Sequence, residues 1–540
     1  MRTTFFGLEI VRKGLQTQQR ALDVTGHNIA NANTPGYTRQ SAIIGTTTPW
    51  TLPGMNKAFQ AGQVGTGAKV EEIRRIRDSF IDLQVRNESK ELGYWEAKAD
   101  VLQKLEVIIN EPSDSGIRTV MDQFWASLQE LSKNPESEAV RATVRQRGIA
   151  VADTFNHIHR QLRELQDDIN ASVKVKVSQI NSLATQIRDL NDQIVRIEVN
   201  KMENANDLRD QRDNLLDELS KMVDIKYNED QYGAVRVAIG GKGLVLGTKV
   251  ALLEASDQAG LNGLVTVQWQ DGGSLSLSSG ELLGLIQSMG YQDAAVGEFK
   301  GTIPEMTLEL NHLANSIVTA TNWVHLQGYP KAGENGVLFF QQERDEKGSL
   351  LPINAWSIRV SDAIMADTAN IAAGLEKNMA GDGRNALVLA QLKHMMAVVT
   401  DANYMKNPPA IPSAMYNPPG DPEGQALRFE NYFEFYKYFL TAEDGYNSNL
   451  APTATFDDFF RGIVGRLGIN TQEAERMALN QKMLVSQQLN RREMMSGVSL
   501  DEEMTNMIMF QHAYNAAARA ITTMDEMLEV IINRVGIVGR

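Results

Sequence analysis

The chain of 540 residues contains no cysteine. Disulfides, thiol catalysis and cysteine-ligated metals are excluded. The compartment stays open, because a protein without thiols is indifferent to redox conditions. Long apolar runs are also missing: no stretch approaches the ~18 residues of a membrane-spanning helix, so no membrane span is expected. The opening Met1-Arg2-Thr3-Thr4-Phe5-Phe6 lacks the apolar core and small-residue cleavage site of a secretory signal, which by that rule alone predicts a cytoplasmic protein. Positive charge is in deficit. With 67 acidic against 53 basic residues the net charge is −14, which argues against a phosphate-binding surface for nucleic acid.

What is present is ordinary in amount and unusual in arrangement. Hydrophobic content of 42% and charged content of 22% describe a folded chain, too long for a single core. Its two ends carry the same apolar code. Leu8, Leu15, Leu22 and Ile29 recur every seven residues, and so do Leu500, Met507, Tyr514, Ile521, Leu528 and Val535. A strict seven-residue repeat makes a narrow seam of the coiled-coil kind. Their other faces are polar (Gln16, Gln18, Gln19, Arg20; Asn506, Gln511, Asn515, Arg519). The pattern predicts assembly helices; two core helices of a large bundle are the alternative.

Between the ends the text is mostly helical. A first helix is expected to about Ala30, stopped by Asn31-Ala32-Asn33-Thr34-Pro35-Gly36-Tyr37, and extended or irregular chain follows to Val70. Helices are then expected from Ile76 to Ile109, through Phe80 and Leu83, and from Ile117 to Leu131, with a turn at Glu111–Gly116 between them. A rod is expected from about Glu136 to Glu198. Its stripe shifts register across Val173 and Val177, then runs through Ile180, Leu183, Ile187, Leu190, Ile194 and Ile197. The next helix, Asn204–Met222, has Leu208, Leu215 and Met222 on its seam and places Arg209 one turn from Asp213, as a surface pair. From Val223 to Ser279 the period changes to that of strands, with turns at Gly240-Gly241 and Asp271-Gly272-Gly273. Helices resume at Gly280–Met289 and Ile303–Leu326, and Ser357–Val360 reads as one more strand. Residues 401–455, rich in proline and aromatics, read as an insertion. The last part is nearly all helix, interrupted at Ser496-Gly497-Val498, with Ser499 and Glu502 matching a capping box. The fold class expected is mainly α: an elongated helical bundle with an inserted β-rich domain, its terminal helices pairing as a coiled coil.

Chemistry is sparse. His157 and His159 are two apart on a helix and point in different directions. Gly240-Gly241-Lys242-Gly243 lacks the spacing and Ser/Thr of a phosphate loop and reads as a β-turn. The acidic runs Asp167-Asp168 and Asp501-Glu502-Glu503 lie on helices, the second in a first turn where acids offset the helix dipole. No catalytic residue, cofactor or metal site is expected.

The segment Ala21–Tyr37, with Asn28, Asn31, Asn33, Pro35, Gly36 and Tyr37, resembles the N-terminal signature of the flagellar axial family of rod, hook and hook-associated proteins. Ser496–Met504, continuing through Gln511-His512-Ala513-Tyr514 to Asp525–Leu528, resembles its C-terminal signature. Three further features are similar to the hook-associated members: Thr4–Leu8; the stretch Ala205-Asn206-Asp207-Leu208-Arg209-Asp210-Gln211-Arg212-Asp213; and Leu313–Phe340 with Asn322, His325, Gly328 and Gly336–Phe340. The resemblance implies a structural junction between hook and filament. Copies of the chain would form a ring, with hook protein below and a second junction protein and the flagellin filament above. An export chaperone before secretion and passage through the flagellar type III channel, without a cleavable signal, are implied as well. That moves the expected location to the extracellular flagellum. A hook or distal-rod protein of the same family is the alternative. The matching division is 1–40 with 496–540 as terminal assembly domain, 41–222 with 361–495 as helical wall, and 223–360 as β-rich outer domain. The Asn31–Tyr37 motif is read as a turn between layers or as part of a docking signal, the turn being favoured for its Asn, Pro and Gly.

Overall fold

A computed structural model describes residues 5–49, 65–109, 116–200, 203–257, 264–292, 299–331, 333–342, 353–394, 396–398 and 454–534. The Glu111–Gly116 turn, apart from Gly116, and the insertion up to residue 453 lie outside these residues, as does Val535.

The first helix, α1 (Phe6–Ala30), is followed by an antiparallel ribbon of β1 (Gln40–Thr46) and β2 (Ala68–Arg75), bulged between Ile43 and Ile44. The ribbon lies along α1, where the Thr17 hydroxyl donates to the Ala68 carbonyl at 3.1 Å. The stretch expected to be extended or irregular is thus paired β structure at both of its ends.

The helical body starts with α2 (Ser79–Ile109), α3 (Ile117–Lys133) and α4 (Glu138–Glu198). Ser137 caps α4 through the Val140 N–H, and its 61 residues extend about 90 Å. Its buried line steps by four and three from Val144 through Phe155 to Ile169, takes two fours through Val173 and Val177, and resumes at Ile180. The register shift read from the sequence is therefore a change of period inside one unbroken stripe. At the far end the line passes through Asn191 and Ile194; Leu190 is only half-buried and Ile197 is exposed, contrary to the expected stripe. On α2 the interior is taken by Ile81 and Val85, while Phe80 and Leu83 face outward.

After α5 (Asn206–Met222), β3 (Ile225–Glu229), β4 (Val235–Ile239), β5 (Lys242–Leu246) and β6 (Lys249–Val250) form one antiparallel sheet in chain order. Gly240 and Gly241, at φ 56° and 86°, make the two-residue turn between β4 and β5, a conformation open to glycine at both positions. The strands β7 (Leu253–Asp257) and β8 (Val265–Trp269) form a second hairpin. Asparagines of α4 hold both units. Asn170 accepts from the Val265 N–H, Asn181 bonds Leu253 in both directions, and Asn191 does the same with Val235. Helices α6 (Glu281–Met289) and α7 (Thr302–Gln327) then pack against α4.

In the rest of the body, Ser357–Val360 is not a strand: one bridge joins Val360 to Phe340, because the chain turns at Asn354–Ser357. The short α8 (Asp362–Ala366) and α9 (Arg384–Gln391) precede α10 (Phe456–Ser496) and α11 (Leu500–Arg534). The apolar centre is aromatic: Phe124 touches Trp125, Phe339 and Phe340, and Trp125 stacks on Phe456. Polar residues of α7 fix the segment that carries Phe339 and Phe340. Asn322 accepts from the N–H groups of Phe339 and Phe340 and donates to the Phe340 carbonyl. His325 Nδ1 lies 2.7 Å from the Val337 carbonyl and its Nε2 accepts from the Ala372 N–H, so the ring is neutral with its proton on Nδ1. Burial holds its pKa down at about 4, although the bond to Val337 opposes the shift.

Candidate functional site: the paired ends and their joint

The two terminal helices lie antiparallel against each other. Near one end the Gly7 backbone sits against the Met524 side chain; near the other, Asn28 Nδ2 donates to Glu503 Oε2 at 3.0 Å. The two contacts are the same number of residues apart on both helices, so the pairing keeps register along that length. On α11 the sequestered line is Glu503, Met507, Phe510, Tyr514, Ala517, Ile521, Met524 and Leu528, alternating by four and three. Met507, Tyr514, Ile521 and Leu528 are thus half-buried on one face, while Leu500 is exposed. On α1 the fully buried residues are Thr17, Ala21, Thr25 and Asn28. Leu8, Leu15, Leu22 and Ile29 are half-buried and lie elsewhere around the helix: Leu15 and Thr17, two residues apart, are on nearly opposite sides.

The signature motif forms the turn that carries α1 into the ribbon. Gly36, at φ 75°, faces the Asn214 side chain, which a Cβ would overlap. The Pro35 carbonyl accepts from Asn214 at 3.4 Å. Asn31 and Thr34 bond each other, and Asn33, Pro35 and Gly36 stay exposed. The centre of the motif is Asn28, 1% exposed. Its amide donates to the Gln40 carbonyl and to Glu503, and its oxygen accepts from the Gln40 N–H at 3.0 Å and the Tyr37 hydroxyl at 2.8 Å. All four hydrogen-bonding positions of the side chain are used. Burial, with Asp207, Asp210 and Glu503 nearby, pushes the Tyr37 pKa far up, so the hydroxyl remains a donor. Arg39 completes the link: it pairs with Glu503 at 2.8 Å and Glu502 at 2.7 Å, and its N–H donates to the Ser496 carbonyl. Glu502 therefore faces Arg39, and the expected capping box is reduced to a long contact from the Glu502 N–H to Ser499 Oγ, 3.5 Å.

Below this turn lies a buried ionic cluster. Asp210, Asp213 and Asp217 follow one face of α5 at spacings of three and four. Arg75, at the end of β2, reaches Asp210 at 2.7 Å and Asp213 at 2.8 Å. Arg77 pairs with Asp82 at 2.6 Å and approaches Asp213 at 3.4 Å. Arg86 holds Asp217 at 2.7 Å, and Arg492 at the end of α10 also bonds Asp217. The Thr38 N–H donates to Asp210 and Gln40 Nε2 donates to Asp207, tying the motif to the same helix. Burial opposes charge on Asp213, but Arg77, Arg75 and Arg86 outweigh it and hold its pKa far below the carboxylate range. Asp210 goes the other way: burial raises its pKa, and Arg75 offsets that only in part.

The surface pair Arg209–Asp213 does not form. Asp213 is turned inward to three guanidiniums, while Arg209 binds Glu198 bidentately, at 2.7 and 2.6 Å, and Glu229 at 2.6 Å. The seam of α5 differs as well: Leu216, Leu219 and Met222 are buried, whereas Leu208 and Leu215 are half-buried. The carboxylates at three-and-four spacing were the sequence signal for this face. Among the described residues no group of three or more His, Cys, Asp or Glu is placed to hold a metal ion, and no helix is long and apolar enough to cross a membrane. The site offers complementary surfaces and fixed angles.

Comparison with known proteins agrees along the chain. Residues 102–340 match the flagellar hook-associated protein FlgK helical domain, residues 494–534 the flagellar basal body rod FlgEFG protein C-terminal family, and residues 8–38 the flagella basal body rod protein family. Flagellar hook-associated protein 1 of Bacillus subtilis is 38% identical over 100% of both chains. That of Escherichia coli is 26% identical, covering 96% of this chain and 98% of its own. The structure of the flagellar hook junction protein FlgK from Burkholderia pseudomallei superposes with a TM-score of 0.57 at 14% identity, over 77% of this chain and all of that one, a likeness of fold. With a relative of that identity aligned from end to end, the chain belongs to the flagellar hook-associated protein 1 family.

Proposed function

We propose that this chain is a structural piece of the bacterial flagellum that joins the hook to the filament and performs no catalysis. The observation that carries this reading is the full-length match to a hook-associated protein 1, which spans both terminal signatures and the helical body between them. In this reading residues 1–40 and 496–540 form the assembly unit, with Leu8, Leu15, Leu22, Ile29, Leu500, Met507, Tyr514, Ile521, Leu528 and Val535 as its apolar contacts. Residues 41–222 with 361–495 form the wall, and 223–360 the outer part. Copies of the chain form a ring on the hook and carry the second junction protein and flagellin above. Export through the flagellar channel, with a chaperone beforehand, delivers the chain to the outside. In this reading the half-buried Leu8, Leu15, Leu22 and Ile29 of α1, which lie on another side of the helix from Thr17, meet a neighbouring copy.

Electron microscopy of cells lacking the chain, with flagellin assayed in the medium, tests the reading. Complete hooks without filaments and flagellin lost to the medium are expected. Missing hooks would move the chain down into the rod or hook, and normal filaments would overturn the proposal.

A further inference from the structure

The turn that returns the chain from α7 to Phe339 holds an Asn-Gly pair, Asn335-Gly336. Glycine has no side chain to obstruct its backbone nitrogen, so in such a pair that nitrogen can attack the preceding side-chain amide. Asn335 is half-buried, and its side chain makes no hydrogen bond among the described residues. Gly336 stands at φ 96°, a conformation that favours glycine. The amide under attack is thus unrestrained, but the attacking nitrogen is held. The Gly336 N–H donates to the Leu326 carbonyl at 3.2 Å. That carbonyl lies in the last turn of α7, where no intrahelical donor remains, so one bond caps the helix and occupies the nitrogen. The residues that follow are anchored on α7 as well, Val337 by His325 and the N–H groups of Phe339 and Phe340 by Asn322.

We propose that Asn335-Gly336 is a site of spontaneous deamidation, shielded in the folded chain by the bond from Gly336 to Leu326. When that bond opens, the Gly336 nitrogen gives its proton to water and attacks Cγ of Asn335. The new C–N bond closes a five-membered imide, the Cγ–Nδ2 bond breaks, and the amide nitrogen takes up a proton and leaves as ammonia. Water then opens the imide at either carbonyl, giving an aspartyl or an isoaspartyl residue; nothing is oxidised or reduced. Both products add a negative charge beside Glu334, which already pairs with Lys377. The isoaspartyl product also runs the backbone through the former side chain and lengthens it by one methylene. That change falls directly ahead of the segment that seats Phe339 and Phe340 against Phe124. The modification therefore loosens the anchor that shields it, and a local opening becomes a permanent one. This chemistry is independent of the junction role.

The full chain, held at mildly alkaline pH either folded or in denaturant, provides the test. Mass spectrometry of its peptides scores the aspartyl and isoaspartyl products at Asn335. A second pair, Asn262-Gly263, lies outside the described residues and reports in denaturant that the reaction runs. In denaturant both pairs should react at similar rates, and folding should slow Asn335 at least tenfold. Equal rates at Asn335 in the two samples overturn the shield, and a denatured chain that reacts only at Asn262 overturns the site. Asn322→Ala removes the bonds that seat Phe339 and Phe340 and should speed the folded reaction severalfold; an unchanged rate overturns the part given to the anchor. If that variant does not fold, the native chain is followed in denaturant below its unfolding midpoint. There the rate at Asn335 should rise together with hydrogen exchange of residues 333–342, and a flat rate overturns the shield. Modified chains, separated by their added charge, should exchange faster at the end of α7 than unmodified ones; identical exchange overturns the loosening.

Discussion

The helical body and the joint beneath the paired ends are held by different physics. Around Phe124, Trp125, Phe339, Phe340 and Phe456 the body is continuous apolar packing, and the stripe of α4 extends it along the rod. At the joint the contacts are Asn28 with Glu503, Arg39 with Glu502 and Glu503, and four arginines among Asp82, Asp210, Asp213 and Asp217. Apolar burial scales with area and tolerates small rotations. A buried ion pair has a desolvation cost that only good geometry offsets, so it adds little net stability and penalises every other orientation. The body is built for stability, and the joint fixes the angle at which the ends leave it.

The largest effect expected is therefore in the body. Phe124→Ala removes a fully buried ring that touches three others and should cost about 3–5 kcal/mol in denaturant unfolding of the full chain. A cost below about 1 kcal/mol would mean that the body is not the stable half. Asp213→Ala comes next. It removes the carboxylate that Arg75, Arg77 and Arg86 share, each keeping one other partner in Asp210, Asp82 or Asp217, so the cost should be about 3 kcal/mol, the low end for breaking a buried pair. Hydrogen exchange should localise the loss to β1, β2 and α5 and leave α4 protected; uniform acceleration would erase the distinction.

The body was far more legible in the sequence than the joint. Apolar spacing survives folding directly: the stripe of α4, the two-residue turn at Gly240-Gly241 and the terminal helices all follow from local pattern. The joint assembles from α1, β2, α2, α5, α10 and α11, so no local window contains it. Asp213 and Arg209 look like a surface pair one turn apart, because only the tertiary fold brings Arg75, Arg77 and Arg86 to Asp213 and Glu198 to Arg209. Glu502 reads as half of a capping box until Arg39 arrives from across the fold. Asn28, Pro35 and Gly36 were visible as a motif, but the use of all four positions of Asn28 depends on Glu503 at the other end of the chain.

Acid should separate the two regions. His325 has a folded pKa of about 4 against about 6.5 unfolded, so its neutral form stabilises the body fully above pH ~6.5, and that contribution falls as the pH drops toward 4. The loss approaches about 3 kcal/mol, the free energy of that shift. Asp213, with its folded pKa depressed, keeps its contribution across this window and loses it only at more acid pH, as the pH falls below the unfolded value and through the folded one. Global unfolding followed from pH 7 to 4.5 should therefore weaken, and His325→Gln should flatten that dependence. An unchanged slope in the variant would assign the acid sensitivity to the joint.

The smallest effect compares one helix cap from each region. Thr455 begins α10 with its hydroxyl 3.1 Å from the Asp458 N–H, a well-formed cap, and Thr455→Ala should cost about 1 kcal/mol. Ser499 begins α11 with a 3.5 Å contact, and the acidic partner that would complete the box is engaged by Arg39. Ser499→Ala should therefore cost less, about 0.5 kcal/mol, the low end for such a change. Replacing Arg39 by Met would release Glu502 to the Ser499 backbone. In that background Ser499→Ala should cost more than in the native chain, so a double-mutant cycle on Arg39 and Ser499 should give a nonzero coupling. Additive values would mean that the start of α11 is set by its own sequence; a coupling would mean that the joint has taken over a contact that local chemistry assigns to the helix.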